Sequence, residues 1–403
     1  MRLSSPGKYL LAATLGLVLS GPPIDSVRAD SYSTTTTLTA TPSVTTVGSN
    51  IDLTATVTAL GGPLSNTVTF FRGSSPIGQT SAVPVDMSVE FLAGAGNALC
   101  GYAAGALKCW PEGQHQIASN LSTTMKQLAL FTSGETDAGG CFVETSGALK
   151  CWGKNDFGQL GLGDFDDRTV PETVFAEGVE KVVVGDRHAC ALMTTGAVSC
   201  WGNNASGEVG NASSQLQLSP VEIFQSDVKS IASSGTYSCA VKFDQTLLCW
   251  GTGFNYGLIT DSSFPLILET GTDAQSIHIG YGSNCYLTSI GAKCWGDNTS
   301  QKLGLLVGGP TVNLPNSMMA IMGPLKDIAM GFDFGCAIDM ADIMKCWGNN
   351  LVGQLGNGNI DSEPVTLATL VFDLGPVKAI KLSMSTSCAI EMTGTVKCWG
   401  LNT

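Results

Sequence analysis

The sequence predicts an all-β protein, a seven-bladed β-propeller that follows a short N-terminal β segment. All seven tryptophans directly follow a cysteine, and the other seven cysteines lie nine or ten residues upstream of these Cys-Trp pairs. Successive tryptophans are 42 to 52 residues apart, and each unit contains four short apolar runs separated by turn residues. Radial repetition of four-stranded sheets produces a propeller, so seven such units predict seven blades.

The unit around Trp201 shows how the strands are predicted. Its apolar runs are Val182–Val184, Cys190–Leu192, Cys200–Trp201 and Pro220–Ile223, and glycine or proline lies at their ends. Runs this short with turn residues at their ends are typical of strands and argue against stacked helices. The chain holds 49 glycines without a collagen period, which also fits a fold with many tight turns.

The Gly/Asn-rich loop after the Trp-Gly pair carries a specific resemblance. The stretches Gly202–Gly210, Trp152–Gly161 and Trp347–Gly356 resemble the signature loop of the regulator-of-chromosome-condensation repeat. The resemblance extends over residues 86–403. It implies the fold of that family, a seven-bladed propeller.

Some units depart from this pattern. Pro111 rather than glycine follows Trp110, and the fourth unit loosens to Trp250-Gly251-Thr252-Gly253. The hairpin of the fourth unit carries Asp244-Gln245 where other units have glycine. The family often has a histidine two residues before the first cysteine of a unit, and only His188 fits.

The cysteines are predicted to form seven disulfides, one within each blade. Cys190 and Cys200, for example, lie on the two arms of one predicted hairpin. Directly opposite residues there have Cα atoms about 4.5–5.5 Å apart, within the range of about 4.4–6.8 Å that a disulfide needs. Zinc is the alternative, but zinc sites need three or four clustered ligands, and a catalytic thiol needs an activating histidine. The predicted pairs are Cys100 with Cys109, Cys141 with Cys151, Cys190 with Cys200, Cys239 with Cys249, Cys285 with Cys294, Cys336 with Cys346, and Cys388 with Cys398.

The tryptophans are predicted to form the cores of the blades. Neighbouring residues of a strand point to opposite faces of the sheet, so each tryptophan faces away from its cysteine and packs between adjacent blades. A chromophore or ligand-stacking role is the alternative, since one plant photoreceptor of this fold uses tryptophans. The seven residues are Trp110, Trp152, Trp201, Trp250, Trp295, Trp347 and Trp399.

Residues 1–29 are predicted to be a secretory signal peptide. Arg2 and Lys8 precede the apolar stretch Tyr9–Ser20, which is too short to span a bilayer of about 30 Å. Cleavage is expected between Ala29 and Asp30. We therefore expect a secreted, cell-surface or periplasmic protein without stable membrane insertion after signal removal.

Residues 30–85 are predicted to form a partial immunoglobulin-like β segment. Ile51, Leu53, Ala55 and Val57 alternate with polar residues, and the stretch resembles bacterial immunoglobulin-like domains. The matching stretch is shorter than a complete domain needs. Because the last unit stops just after its tryptophan, Ile77–Val85 is predicted to supply an outer strand that closes the ring.

Composition and motifs exclude several functional classes. The net charge is -13 and basic stretches are absent, which disfavours binding to nucleic acid through its phosphates. His115, His188 and His278 fall in different repeats, and the sequence holds no nucleophile elbow, phosphate loop or metal-binding histidine pair. We therefore predict no catalytic residue, no metal site and no cofactor.

One acidic loop contains Asp164, Asp166 and Asp167. Calcium binding and a solvated turn are its two interpretations. The spacing of the three residues fits no standard calcium loop, so the solvated turn is favoured.

The function predicted from the sequence is that of an exported, non-catalytic protein-binding scaffold. We expect an unidentified protein partner to bind one face of the propeller. We also expect the chain to be a monomer. Strand order places the loops after each Trp-Gly pair on one face, and they vary between units, as in Leu162–Thr169, Ala212–Ser219 and Leu305–Asn313.

Two further functions are open. The resemblance implies guanine-nucleotide exchange on a small GTPase, which export disfavours because such GTPases are cytosolic. The other is a propeller enzyme that acts on an extracellular polymer, and no set of residues in the sequence supports it.

Overall fold

The structure is a computed structural model that describes residues 26–28, 34–41, 52–59, 68–72, 75–80, 91–95, 98–103, 106–110, 121, 124–131, 139–252, 261–305, 309–317 and 323–401. The chain divides into two compact units, Met1–Met87 and Ser88–Thr403. The predicted cleavage site at Ala29 and Asp30 lies outside the described residues.

The first unit contains two small antiparallel sheets. Its strands are β1 (Ser26–Arg28), β2 (Thr34–Thr41), β3 (Asp52–Ala59), β4 (Val68–Arg72) and β5 (Ser75–Thr80). Strands β2 and β3 form a hairpin, and β1, β4 and β5 form the other sheet. The immunoglobulin-like character of this segment stays a prediction.

The predicted closing strand is wrong for residues 77–80. These residues lie in β5, which pairs with β4 of the first unit, with Val68 opposite Thr80. Only residues 73–74 separate the two strands, and closing so short a loop costs little chain entropy, so the local hairpin forms. The remaining residues of the predicted strand, 81–85, lie outside the described residues.

The described residues of the second unit form seven antiparallel sheets. The first has three strands, β6 (Phe91–Ala95), β7 (Ala98–Ala103) and β8 (Ala106–Trp110). Five sheets of four strands follow: β9 (Met125–Leu130), β10 (Gly140–Glu144), β11 (Leu149–Gly153) and β12 (Arg168–Phe175); β13 (Val179–Val184), β14 (His188–Met193), β15 (Val198–Gly202) and β16 (Gln217–Phe224); β17 (Val228–Ser234), β18 (Tyr237–Lys242), β19 (Leu247–Gly251) and β20 (Ser262–Glu269); β21 (Ser276–Ile279), β22 (Ser283–Thr288), β23 (Gly291–Asp297) and β24 (Thr311–Ser317); and β25 (Leu325–Met330), β26 (Phe334–Asp339), β27 (Met344–Asn350) and β28 (Asp361–Leu370). The last sheet has β29 (Val377–Leu382), β30 (Thr386–Glu391) and β31 (Val396–Gly400), and a short 3-10 helix, Thr299–Gln301, follows β23.

The first strands of the sheets surround a common axis. Strand β6 contacts β9, and further contacts link β9 to β13, β13 to β17, β17 to β21, β21 to β25 and β25 to β29. Strand β29 also contacts β6. Sheets arranged radially in this way form a β-propeller. We call the space that these innermost strands enclose the axial channel.

The turns between second and third strands require a residue with positive φ. Gly147, Gly196 and Gly394 have φ of 86°, 82° and 89° at this position. Gln245 and Asp342 occupy the same position with φ of 70° and 65°. The two hairpins that lack glycine at this position therefore keep the same turn, and their non-glycine residues are strained there.

Six disulfides join the second and third strands of six sheets. In each pair the two cysteines are directly opposite in the register, and their Cα atoms are 4.0–4.1 Å apart. The pairs are Cys141 with Cys151, Cys190 with Cys200, Cys239 with Cys249, Cys285 with Cys294, Cys336 with Cys346, and Cys388 with Cys398. In the first sheet Cys100 is opposite Cys109, whose side chain lies outside the described residues.

The hydrophobic cores lie between consecutive sheets. Each core combines the cysteine-bearing face of one sheet with the tryptophan of the next, as when Cys141 and Cys151 pack with Trp201. The same arrangement holds for Cys190 and Cys200 with Trp250. Adjacent Cys and Trp residues thus serve two different cores, as alternation along a strand requires. The other four described cores contain Trp152, Trp295, Trp347 and Trp399, and Trp110 lies outside the residues whose side chains are described.

Candidate functional site

The loops that leave the third strands lie at one end of the propeller. Backbone hydrogen bonds tie them to the turns between first and second strands: Asn203 N donates to Arg187 O at 2.8 Å, and Asn349 N donates to Asp333 O at 3.0 Å. In an antiparallel sheet these two kinds of connection end on the same side. We call this end the loop face, and the opposite end, with the turns between second and third strands, the hairpin face.

Four of the long loops on the loop face are each built around one buried asparagine. In four sheets the asparagine Oδ1 accepts the backbone N–H of the residue five positions later, at 3.0–3.1 Å. The side-chain amide of the same residue reaches the far end of the loop, as when Asn350 Nδ2 donates to Asn359 O at 3.0 Å. These bonds replace a regular ladder and fix the loop conformation. The asparagines are Asn155, Asn204, Asn298 and Asn350.

The tryptophans lock the loops of one sheet to the next sheet. Trp201 Nε1 donates to Gln159 O at 2.9 Å, and Trp250 Nε1 donates to Glu208 O at 2.9 Å. A Cβ on Gly161 would lie 2.7 Å from Trp201 Nε1, so glycine is needed for this contact. Among the described residues Trp295 Nε1 has no partner, and the loop of the preceding sheet, 253–260, lies outside them.

A buried polar residue holds the start of most loops. The side-chain oxygens of Gln159, Glu208 and Gln354 accept the backbone N–H two residues earlier, at 2.9, 2.7 and 3.0 Å. Burial raises the pKa of Glu208. These residues all lie seven positions after their tryptophan. They are therefore part of the repeat architecture rather than candidates for catalysis.

Lys302 occupies this position in one sheet, and sequence reasoning missed it. Its side chain is 1% exposed, and Nζ donates to Tyr281 O at 2.7 Å and to Phe332 O at 2.6 Å. It also lies 2.7 Å from a carboxylate oxygen of Asp297. Burial lowers the pKa of Lys302, and these three oxygens compensate the buried charge. The only sequence signal was a lysine where comparable loops have glutamine or glutamate.

The acidic loop is internally paired. Asp164 accepts a hydrogen bond from Arg168 at 2.7 Å, and Asp167 one from Lys154 at 2.8 Å. These bonds lower the pKa of both carboxyl groups. Within the described residues, no group of three or more His, Cys, Asp or Glu side chains could hold a metal ion. The site is therefore a turn stabilised by its own ion pairs.

The loop face presents large apolar side chains to solvent. Phe165 is 51% exposed, Leu351 is 56% exposed and Phe332 is 51% exposed. The Phe332 ring packs edge-on against Tyr281, with centroids 6.2 Å apart. Arg187 lies 4.3 Å above the ring of Phe157. Exposed aromatic and apolar groups on rigid loops are typical of protein-binding surfaces.

The structure does not bring the histidines together. His188 is fully buried, its Nε2 is 2.8 Å from Ser238 Oγ, and burial lowers its pKa to about 4. His278 lies on the innermost strand β21, and His115 is outside the described residues. In the part of the chain that is described, no helix is long and apolar enough to span a membrane.

Comparisons with known proteins agree with this geometry. Residues 146–192 and 179–208 match models of the regulator of chromosome condensation (RCC1) repeat. The chain folds as an RCC1-type propeller. A search of the curated proteins found no match.

Solved structures of such propellers superpose on most of the chain. Human WBSCR16 is 16% identical, with a TM-score of 0.62 over 79% of this chain and 88% of that one. Yeast RCC1 (Prp20), solved with Kap60 bound, is 15% identical, with a TM-score of 0.61 over 82% of this chain and 85% of that one. A second structure of Prp20p from Saccharomyces cerevisiae is 17% identical, with a TM-score of 0.59 over 77% and 82%. At these identities the likeness concerns the fold.

Proposed function

We propose that this RCC1-type propeller is an exported, non-catalytic scaffold that binds a protein partner through its loop face. All seven sheets act as blades of one closed ring in this proposal, and the chain acts as a monomer. The observation that carries it is a set of exposed apolar side chains on loops that buried asparagines hold in place. Because the loops are already ordered, binding costs little conformational entropy.

Two further observations support the proposal. The structures of Prp20p include one with Kap60 bound, and another report describes its binding to Gsp1p and histones. The six disulfides favour an oxidising compartment, since cytosolic thiols are kept reduced. Secretion, the cell surface or the periplasm would each provide such a compartment.

Photo-crosslinking from defined positions tests the binding face. Benzoylphenylalanine would replace Phe165 or Leu351 on the loop face, and Phe243 or Phe372 on the hairpin face as matched controls. All four side chains are exposed, at 51%, 56%, 67% and 77%. We expect the same partner to crosslink from both loop-face positions and from neither control. Equal capture from the hairpin face, or none from the loop face, would refute the proposal.

Export is tested separately. The mature protein, purified from the exported fraction, should begin at Asp30 when its N-terminus is sequenced. A protein that retains Met1 and stays inside the cell would contradict export. The binding face would still be decided by the crosslinking experiment.

A further inference from the structure

The register of the innermost strands places polar residues at two adjacent levels of the axial channel. In each sheet one first-strand residue is directly opposite the first cysteine: Ala93, Ala129, Val183, Ala232, His278, Ala329 and Lys381. At this upper level, His278 and Lys381 are the polar members. Two residues earlier on six of these strands, and therefore on the same strand face, lie Gln127, Lys181, Ser230, Ser276, Asp327 and Ala379.

Two of the lower-level side chains form hydrogen bonds with backbone groups of the neighbouring innermost strand. The first strand of each sheet is an edge strand, so some of its backbone groups lack a partner in the sheet. The Gln127 amide donates to Val182 O at 2.7 Å and accepts from Val182 N at 2.8 Å. Ser230 Oγ accepts from Ile277 N at 3.2 Å. These contacts use one donor and the acceptor of the Gln127 amide and the acceptor of the Ser230 hydroxyl.

Lys181 and Lys381 each keep N–H groups that the described contacts do not use. Lys181 Nζ donates to Ile231 O at 2.9 Å, which leaves two of its three N–H groups without a partner among the described residues. Lys381 is exposed, and it forms no hydrogen bond or ion pair with any residue that the structure describes. Both lysines lie on innermost strands that enclose the axial channel, where Lys181 is partly exposed. Burial also lowers the pKa of Lys381.

The charges of these side chains converge although they come from different sheets. Burial, and then the charges of Lys181 and Lys381, lower the pKa of His278 to about 3. Burial and the charge of Lys381 lower the pKa of Lys181 to about 8. Lysines of strands β13 and β29 therefore both act electrostatically on one imidazole of β21.

Asp327 neutralises this cluster only in part, although its charge raises the pKa of both lysines. Its Oδ1 accepts the N–H of Ile328 at 2.8 Å and lies 3.5 Å from His278 Nδ1. The imidazole is neutral near pH 7, so this contact is not an ion pair, and Ser276 Oγ holds the other ring nitrogen at 2.8 Å. Burial raises the pKa of Asp327 to about 6. Among the described residues, Asp327 is the one carboxylate whose charge acts on the two ammonium groups, in a chain whose net charge is -13.

We propose that the axial channel binds a small oxyanion, such as a sulfate, phosphate or carboxylate group, between the ammonium groups of Lys181 and Lys381. Ala232 and Ala329, at the level of Lys381, carry small side chains that leave space for a small anion. The free N–H groups supply charge-assisted hydrogen bonds, which are the strong ones for such anions. The site is independent of the loop face and of any partner bound there.

Isothermal titration of the full chain with sodium sulfate, at constant ionic strength and with chloride as reference, tests the site. Sulfate keeps its charge across the pH range, whereas phosphate does not. We expect saturable heat from one site. Affinity should weaken from about pH 5 to about pH 9, because Asp327 gains a negative charge and Lys181 loses its positive charge along that range. A folded wild-type protein without saturable heat would overturn the proposal.

Three variants separate this site from general charge effects. Lys381→Met should lower sulfate affinity about tenfold, as loss of one charge-assisted hydrogen bond predicts. Lys378→Met is the matched control, since Lys378 is exposed on the same strand but roughly 10 Å further along it. Its affinity should equal that of the wild type, and an equal loss in both variants would contradict the site. Asp327→Asn should raise the affinity for sulfate, because it removes the carboxylate charge beside the two lysines. This gain tests the site even where Lys381→Met fails to fold.

Discussion

Replacing Gly161 by alanine tests the lock between consecutive sheets. A Cβ at this position would lie 2.7 Å from Nε1 and 2.8 Å from Cδ1 of Trp201, which is fully buried. Gly163, in the same loop, is the matched control because its Cβ would meet only Ser219 Oγ, at 3.4 Å. The two glycines have similar φ, 75° and 88°, so the backbone strain of alanine is nearly equal.

The expected difference follows from two contributions, which add to a backbone cost that both variants share. A left-handed residue other than glycine costs about 1–2 kcal/mol, and both variants share that cost. Gly161→Ala also overpacks the core, at about 1–3 kcal/mol. It further displaces the hydrogen bond from Trp201 Nε1 to Gln159 O, worth about 0.5–1.5 kcal/mol. Gly161→Ala should therefore be about 2–4 kcal/mol less stable than Gly163→Ala.

Denaturant unfolding with the disulfides intact measures this difference, with tryptophan fluorescence and far-UV circular dichroism as probes. Coincident transitions from the two probes are needed before free energies are compared. Equal destabilisation in the two variants would show that the contact between Gly161 and Trp201 does not hold the sheets together, and would refute the reasoning.

Three further predictions concern the disulfides, His188 and a strained turn. Alkylation and mass spectrometry should find the 14 cysteines protected until a reductant is added, and Cys190→Ser with Cys200→Ser should lower stability by about 2–3 kcal/mol; free thiols in the exported protein would contradict the pairing. Burial lowers the pKa of His188 from 6.5 to about 4, so the unfolded state binds the proton more readily. Stability should therefore fall as the pH is lowered through that window. In urea unfolding at several pH values, His188→Gln should lack this loss of up to about 3 kcal/mol, and an unchanged profile would refute a buried neutral imidazole. Gln245→Gly should raise stability by about 0.5–1 kcal/mol in thermal unfolding by relieving a positive φ, whereas Asp244→Gly should not.

The regular parts of the fold were predictable because their signals are local. A cysteine pair nine or ten residues apart with a turn between them already describes a hairpin. The Cys-Trp adjacency also predicted that the two side chains serve opposite faces, because alternation needs no knowledge of other blades. His188 was identified by position as the histidine of its repeat, yet its contact with Ser238 depends on the next sheet.

The candidate sites were less predictable. Lys302 lies in the sequence pattern of its loop, but Tyr281 and Phe332, whose carbonyls bind it, belong to two different turns. The predicted outer strand at Ile77–Val85 is wrong for residues 77–80 for a related reason. Apolar alternation predicts a strand but not its partner, and the nearer partner β4 costs less chain entropy to reach.

The sequence by itself determined the all-β class, the repeat, the hairpins and the cysteine pairing, since each depends on residues within a few turns of one another. Only the tertiary structure decided which side chains meet across blades. Lys181 and Lys381 come from sheets far apart in the chain, and the contacts between innermost strands bring their charges to one imidazole. Such a cluster depends on how the strands of several sheets are aligned around the axis. No spacing between nearby residues in the sequence specifies that alignment.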